Sequence, residues 1–142
     1  MAKTKFVINP FSGKFDAVSD QVSFSEKVAE LRNCDPSLNV GDLVVESEVL
    51  ANTVETVTDN ADIRPVIGIV SDKLTTTLCR VMFIGTVTGL AGGLTKGRKV
   101  FLSTSGSFTS TPPITDYLQN LGVAKEGDEV DFNPQLQRVR RS

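Results

Sequence analysis

The 142-residue sequence predicts an all-β fold: a compact β-barrel or sandwich with a pseudo-repeated core, plus an extended N-terminal arm and one short helix. Three observations carry this expectation. A block of strands and glycine turns occurs twice in the same order, threonine and valine crowd both copies, and helix-start signals are confined to one short segment. The first copy runs Gly41-Asp42-Leu43-Val44-Val45-Glu46-Ser47, then a polar stretch to Arg64-Pro65-Val66-Ile67-Gly68-Ile69-Val70, then Arg80-Val81-Met82-Phe83. The second runs Gly97-Arg98-Lys99-Val100-Phe101-Leu102-Ser103, then a polar stretch to Gln119-Asn120-Leu121-Gly122-Val123-Ala124, then Glu129-Val130-Asp131-Phe132. Two units make a compact body and not an open array.

Residues 1–35 read as an arm with a short helix, and residues 36–142 as the barrel or sandwich domain. In the arm, Phe6 and Ile8 are separated from Phe11 and Phe15 by Asn9-Pro10 and Ser12-Gly13, turn chemistry between two short strands. Residues 23–33 read as the helix, because Ser23 and Glu26 have capping-box spacing and Phe24, Val28 and Leu31 share a helical face. Asp35-Pro36 then breaks the chain. Thr53 to Thr58 alternates as a strand does, and Val66 to Val70 is apolar enough for a strand buried on both faces. A long strand follows at Thr75 to Ile84. In the second half, Lys99 to Ser103 is a strand, Pro112-Pro113 places its segment on an edge or in a loop, and Val130 to Phe132 is the last strand before Asn133-Pro134.

Composition removes several functions. Lys plus Arg total 15 against 17 for Asp plus Glu, a formal charge of −2, which is not the footprint of general nucleic-acid binding. The basic cluster is terminal, at Arg138, Arg140 and Arg141, and reads as a solvated end or a contact for an acidic neighbour. Eight Phe, one Tyr and no Trp make a poor base-stacking or sugar-binding platform. No apolar run of about 18 residues occurs, and the first residues lack a signal-peptide core, so no membrane partner is expected. Cys34 and Cys79 stand alone, without CxxC spacing or histidine, and read as free, partly buried thiols in a reducing compartment.

Catalysis finds little support. There is no histidine, which removes the commonest general base and the usual catalytic zinc ligands. The carboxylate pairs Asp128 with Asp131 and Asp59 with Asp62 lie in predicted turns, where Asp serves backbone hydrogen bonds. Calcium at Asp59-Asn60-Ala61-Asp62 would have oxygen ligands but no EF-hand spacing. The glycine cluster at 89–97 fails as a phosphate loop, because Lys96 precedes Gly97 and leads into a strand instead of opening a helix. The chain is therefore expected to be non-enzymatic, with no cofactor and no metal.

The strings Gly41 to Val44, Arg64 to Val70, Gly85-Thr86-Val87-Thr88-Gly89-Leu90, Leu94 to Ser103 and Leu121 to Ala124 resemble small β-barrel modules of tailed-bacteriophage virion proteins, found in capsid decoration proteins, head fibres and tail-fibre pieces. Asn9 to Asp16 resembles the start motif of phage fibre-like proteins. The resemblance covers residues 38–134 and that opener, and rests on strand order and glycine placement. It implies a homo-oligomeric, trimeric virion component, assembled in the host cytoplasm, whose partners are the major capsid protein or other virion proteins. No collagen-like or Gly/Ser shaft is present, which favours a capsid decoration (cement) protein or head-fibre base. A tail-fibre or baseplate adaptor, a host-receptor module using loops 105–116, and a virion glycan hydrolase using Asp128 or Asp131 are the alternatives. The expected contacts are Phe6, Ile8, Phe11 and Phe15 of the arm, crossing onto neighbours around a threefold, the Pro112-Pro113 loop, and Arg138, Arg140 and Arg141. The copies differ by an excursion at 53–62 in the first and the loop at 109–116 in the second, and both insertions are expected at partner contacts.

Overall fold

Branched side chains at alternating positions select extended backbone, and the computed structural model, which describes residues 8–9, 14–15, 22–89, 94–126 and 128–141, contains strands and, among those residues, no helix. The short strands β1 (Ile8–Asn9) and β2 (Lys14–Phe15) pair with each other, Ile8 opposite Phe15. The remainder are β3 (Ser23–Cys34), β4 (Leu43–Glu46), β5 (Thr53–Thr56), β6 (Val66–Thr75), β7 (Leu78–Thr88), β8 (Lys99–Leu102), β9 (Phe108–Thr109), β10 (Asp116–Leu118), β11 (Asn120–Ala124), β12 (Glu129–Phe132) and β13 (Val139–Arg141). Nine of them form one sheet in the order β3-β5-β4-β6-β7-β12-β11-β8-β9, with β3 also pairing with β7. The pairings β3–β5–β4–β6–β7–β3 thus run in a ring, joined at β3–β5 by a short parallel contact, Asn33 with Thr53 and Cys34 with Val54.

The repeated blocks are structurally equivalent, residue by residue. Val44 faces Gly68 and Val45 faces Val66 across a register shift, and Val100 faces Gly122 and Phe101 faces Asn120 across the same shift. Gly41 N–H donates to Val70 O at 2.8 Å and Gly97 N–H to Ala124 O at 2.8 Å. Val70 N–H returns to Asp42 O and Ala124 N–H to Arg98 O, each at 2.9 Å. The following hairpins match too: Ser47 N–H bonds Thr53 O, and Ser103 N–H bonds Ser107 O. Sheet order reads β5-β4-β6-β7 in the first copy and β9-β8-β11-β12 in the second.

The equivalence extends beyond the blocks visible in sequence. β3 runs antiparallel to β7 with Ala29 opposite Met82, and the second half of β7 runs antiparallel to β12 with Thr86 opposite Asp131. Strand β3 leads the first copy as the end of β7 leads the second.

What distinguishes the copies is which face is covered. The row Leu43, Ile69, Met82 is buried in the main core with Leu102, Leu121 and Phe132 of the second copy. The equivalent row Lys99, Val123, Asp131 faces solvent. Each copy also keeps a cluster of its own, Leu38 with Val44, Val70 and Val81 in the first and Val100 with Ala124 and Val130, against Leu94, in the second. Each fully buried side chain of this size contributes about 1.5–3 kcal/mol, so the shared core binds the two copies into one sheet.

The helix expected over 23–33 is replaced by β3. The spacing of Phe24, Val28 and Leu31 imitates a helical face because register shifts at Glu26/Val28 and Val28/Ala29 interrupt the strand's two-residue period. Pairing along β7 runs from Ser23 to Asn33 and supplies inter-strand hydrogen bonds that an isolated helix of two or three turns cannot match. Glu26, read as a capping residue, instead holds Arg80 Nε at 2.8 Å and accepts from Ser71 Oγ. Consequently residues 23–34 of the expected arm belong to the main sheet. The long strand expected at Thr75 to Ile84 is divided by a turn at Thr76-Thr77 between β6 and β7. Phe6 and Phe11 lie outside the described residues, and of Ile8 and Phe15 the structure describes the backbone pairing alone.

Candidate interaction surface

The insertion of the first copy and the loop of the second meet. Asn60 is 1% exposed, donates from Nδ2 to Thr115 O at 2.9 Å and Tyr117 O at 3.1 Å, and accepts Tyr117 N–H at its own carbonyl. A buried amide with all these partners satisfied fixes one loop against the other. Beside it Gln119, fully buried, accepts Val66 N–H at 2.8 Å and donates to Val66 O at 2.9 Å and Gln135 O at 2.8 Å. Its side chain satisfies both backbone groups of Val66, as a neighbouring strand would.

The C-terminal segment forms the third side. β13 pairs antiparallel with β10, placing Tyr117 opposite Arg140 and Asp116 opposite Arg141. Arg138 donates from Nη1 to Asp62 O and, at 2.7 Å, to Arg64 O, so the tail is tied to the first copy's insertion. The cluster, read from sequence as a solvated end or a contact for an acidic neighbour, is docked at its first residue onto backbone carbonyls. The guanidinium carbons of Arg138 and Arg140 lie 5.2 and 5.5 Å from the centroid of the same Tyr117 ring, within cation–π range.

Arg64 organises the charges. It bonds Asp62 Oδ2 at 2.8 Å, Glu55 Oε1 at 2.8 Å and Glu46 O at 3.1 Å. Its guanidinium holds the Asp62 carboxyl below the ordinary 3.8, and the Glu55 carboxyl, aided by Ser47, below the ordinary 4.5. The two carboxylates raise Arg64 in turn. Arg138 is shifted the opposite way, downward, by burial. Its Nε and Nη2 are buried with no hydrogen-bond partner.

This polar frame displays large apolar side chains to solvent. Ile114 is 75% exposed, Ile63 67% and Leu136 61%, each on one of the three joined segments. Of the two prolines expected here, Pro112 is exposed and Pro113 is buried. Arg138 is half-buried, Arg140 is exposed, and Arg141 is described through its backbone pairing. Asn60, Tyr117 and Gln119 were missed from sequence. The available signal was the amide pair Gln119-Asn120 inside an apolar strand pattern.

The carboxylates considered for catalysis have other tasks. Asp59 Oδ1 caps Ala61 N–H at 2.9 Å, and Asp131 accepts from Thr86 Oγ1 and lies 3.6 Å from Lys125 Nζ on the solvent row. Asp128 accepts Gly89 N–H through its backbone. Among the described residues no group of three His, Cys, Asp or Glu side chains is placed to hold a metal, and no helix is long and apolar enough to cross a membrane. Cys34 and Cys79 are free and buried in the same core cluster, a proximity that their separation in sequence does not disclose.

Comparison with protein families, curated proteins and solved structures finds no match to this chain. The segments 57–65, 110–118 and 133–141 together form a surface that joins buried polar contacts to the exposed side chains of Ile63, Ile114 and Leu136.

Proposed function

We propose that the chain is a non-enzymatic structural protein of a bacteriophage virion, a capsid decoration or head-fibre base protein. In this reading it binds the assembled head through the surface around Ile63, Ile114 and Leu136. The observation that carries it is this set of exposed side chains held on a framework of buried polar contacts. Exposed apolar groups rimmed by polar residues mark protein-binding surfaces, and loops fixed before binding lose less entropy on docking. The resemblance of the repeated block to phage barrel modules supplies the kind of partner, the major capsid protein, and the expectation of a trimer.

The test is to purify the virion and count copies. Hundreds of copies that follow DNA-filled heads support decoration, and a dozen or fewer that follow tails overturn it. In the same preparation, Ile114→Asp combined with Leu136→Asp is expected to leave the chain folded and to weaken head attachment at least tenfold. Unchanged attachment would remove the surface from the reading.

A further inference from the structure

The docking surface carries an imbalance of charge at its C-terminal side. Arg64 takes both Asp62 and Glu55. Arg138 rests on two backbone carbonyls and the Tyr117 ring, and its Nε and Nη2 lack partners. Arg140 is exposed over the same ring, and among the described residues no carboxylate forms an ion pair with it. Asp116, the remaining nearby acid, lies opposite Arg141 in the β10–β13 register, one position from the Tyr117–Arg140 pair and thus on the other face of the ribbon. Two guanidinium groups therefore stand on one phenol ring, and the Asp62 carboxylate, whose charge acts on Arg138, is already bonded to Arg64 and shared between the two. A partly desolvated charge without an ionic partner of its own is unfavourable, and an anion brought to its neighbour relieves it.

We infer that Arg140, with Tyr117 and Arg138 beneath it, anchors a carboxylate of an acidic, apolar segment of the protein partner. This rests on the docking reading above and adds the chemistry of the partner. Arg140 makes the contact, because it is the exposed member. Arg138 is a positioning residue that supplies field and holds the ring and the loop carbonyls in place. The partner's apolar residues pack on Ile63 and Leu136, and its carboxylate lies beside them. A polyphosphate backbone fits less well: the exposed Leu136 shares the C-terminal segment with the two cations, and the chain's overall charge of −2 repels a polyanion.

The experiment titrates the full chain with an acetylated, amidated Asp-Leu-Asp-Leu peptide. It follows the Arg138 and Arg140 side-chain Nε–H resonances and the Tyr117 ring by NMR. Saturable shifts at Arg140 and Tyr117 are expected, weakening as salt rises. The Asn-Leu-Asn-Leu peptide is expected to bind at least fivefold more weakly. Arg140→Gln should weaken the acidic peptide about fivefold, as loss of one partly screened ion pair does. Arg138→Gln, which keeps an amide donor for the loop carbonyls, should weaken it further; if that variant does not fold, Arg140→Gln decides the matter. Equal binding of the Asn peptide, indifference to Arg140→Gln, or tighter binding of a duplex oligonucleotide at the same residues would overturn the inference. The Ile114→Asp/Leu136→Asp variant separates it from the docking reading. If Arg140 ignores the acidic peptide while head attachment still depends on Ile114 and Leu136, the clamp fails alone.

Discussion

Gly68 and Gly122 occupy one position in the two copies. Each faces a valine across the same register shift, Val44 or Val100, and each lies where a side chain would strike the carbonyl of the next strand. A Cβ on Gly68 would stand 2.8 Å from Met82 O and 2.5 Å from Val81 Cγ1, and one on Gly122 would stand 1.9 Å from Asp131 O. Met82 and Asp131 are themselves equivalent. The repeat thus preserves a close backbone approach that requires glycine twice.

Gly122→Ala is expected to be the more damaging substitution, since its φ of 149° also disfavours a side chain. Urea unfolding should show a loss of roughly 3 kcal/mol or more for Gly122→Ala, within the range of overpacked and strained sites. Gly68→Ala should lose less, because one of its clashing atoms is a side-chain methyl. Equal losses at the two positions would show that the backbone conformation of Gly122 adds no strain.

Gln119→Leu should be costly despite its similar size. It leaves Val66 N–H and O buried without partners, each lost pairing costing about 1–3 kcal/mol, and removes the bond to Gln135 O. Hydrogen exchange at the Val66 amide should accelerate along with the loss of global stability. An unchanged Val66 amide would show that the bridge is not maintained.

Burial, with the Cys34 thiol beside it, pushes the Cys79 thiol from the ordinary 9.0 up to about 12. A thiol that holds its proton more tightly when folded contributes stability below pH 9 and loses it as pH rises toward 12. Stability of the wild type should therefore decline over that alkaline window more steeply than that of Cys79→Ala. The native thiols should also react with a disulfide reagent at the rate of global unfolding, and immediate reaction would refute their burial.

Asp62 behaves in the opposite sense. Arg64 holds its carboxyl below the ordinary 3.8, so its contribution is present above that pH and disappears as pH falls through the lower folded value. Asp62→Asn should lower stability at neutral pH by about 1–3 kcal/mol and flatten the decline on the acid side. A pH profile identical to the wild type would show that the ion pair contributes nothing.

Much of the fold was legible because it is local. The glycine turns, the branched strands and the doubled block mark β4, β6 and β7 and their counterparts β8, β11 and β12, and the all-β class follows. The failures have one cause. Phe24, Val28 and Leu31 look helical because register shifts within β3 break a strand's period, and such shifts are set by the partner strand β7. The leading strand of the second copy was likewise hidden, because half of β7 serves as both the end of one unit and the start of the next. For the site, the two insertions and the terminal arginines were identifiable as departures from the repeat. Asn60, Tyr117 and Gln119 were not, since a polar residue in a strand carries no sign of which distant carbonyl it meets.

By itself the sequence determined that this chain folds as strands, that its core is doubled, and where glycine is required. Those are consequences of backbone sterics and alternation, which act between near neighbours. Only the tertiary structure decided that the row Leu43, Ile69, Met82 is covered while Lys99, Val123, Asp131 is wet, that Cys34 meets Cys79, and that Arg138 reaches back to Asp62 and Arg64. These contacts join residues far apart in the chain. Their free energy depends on desolvation and register across the whole sheet, which no local stretch of sequence encodes.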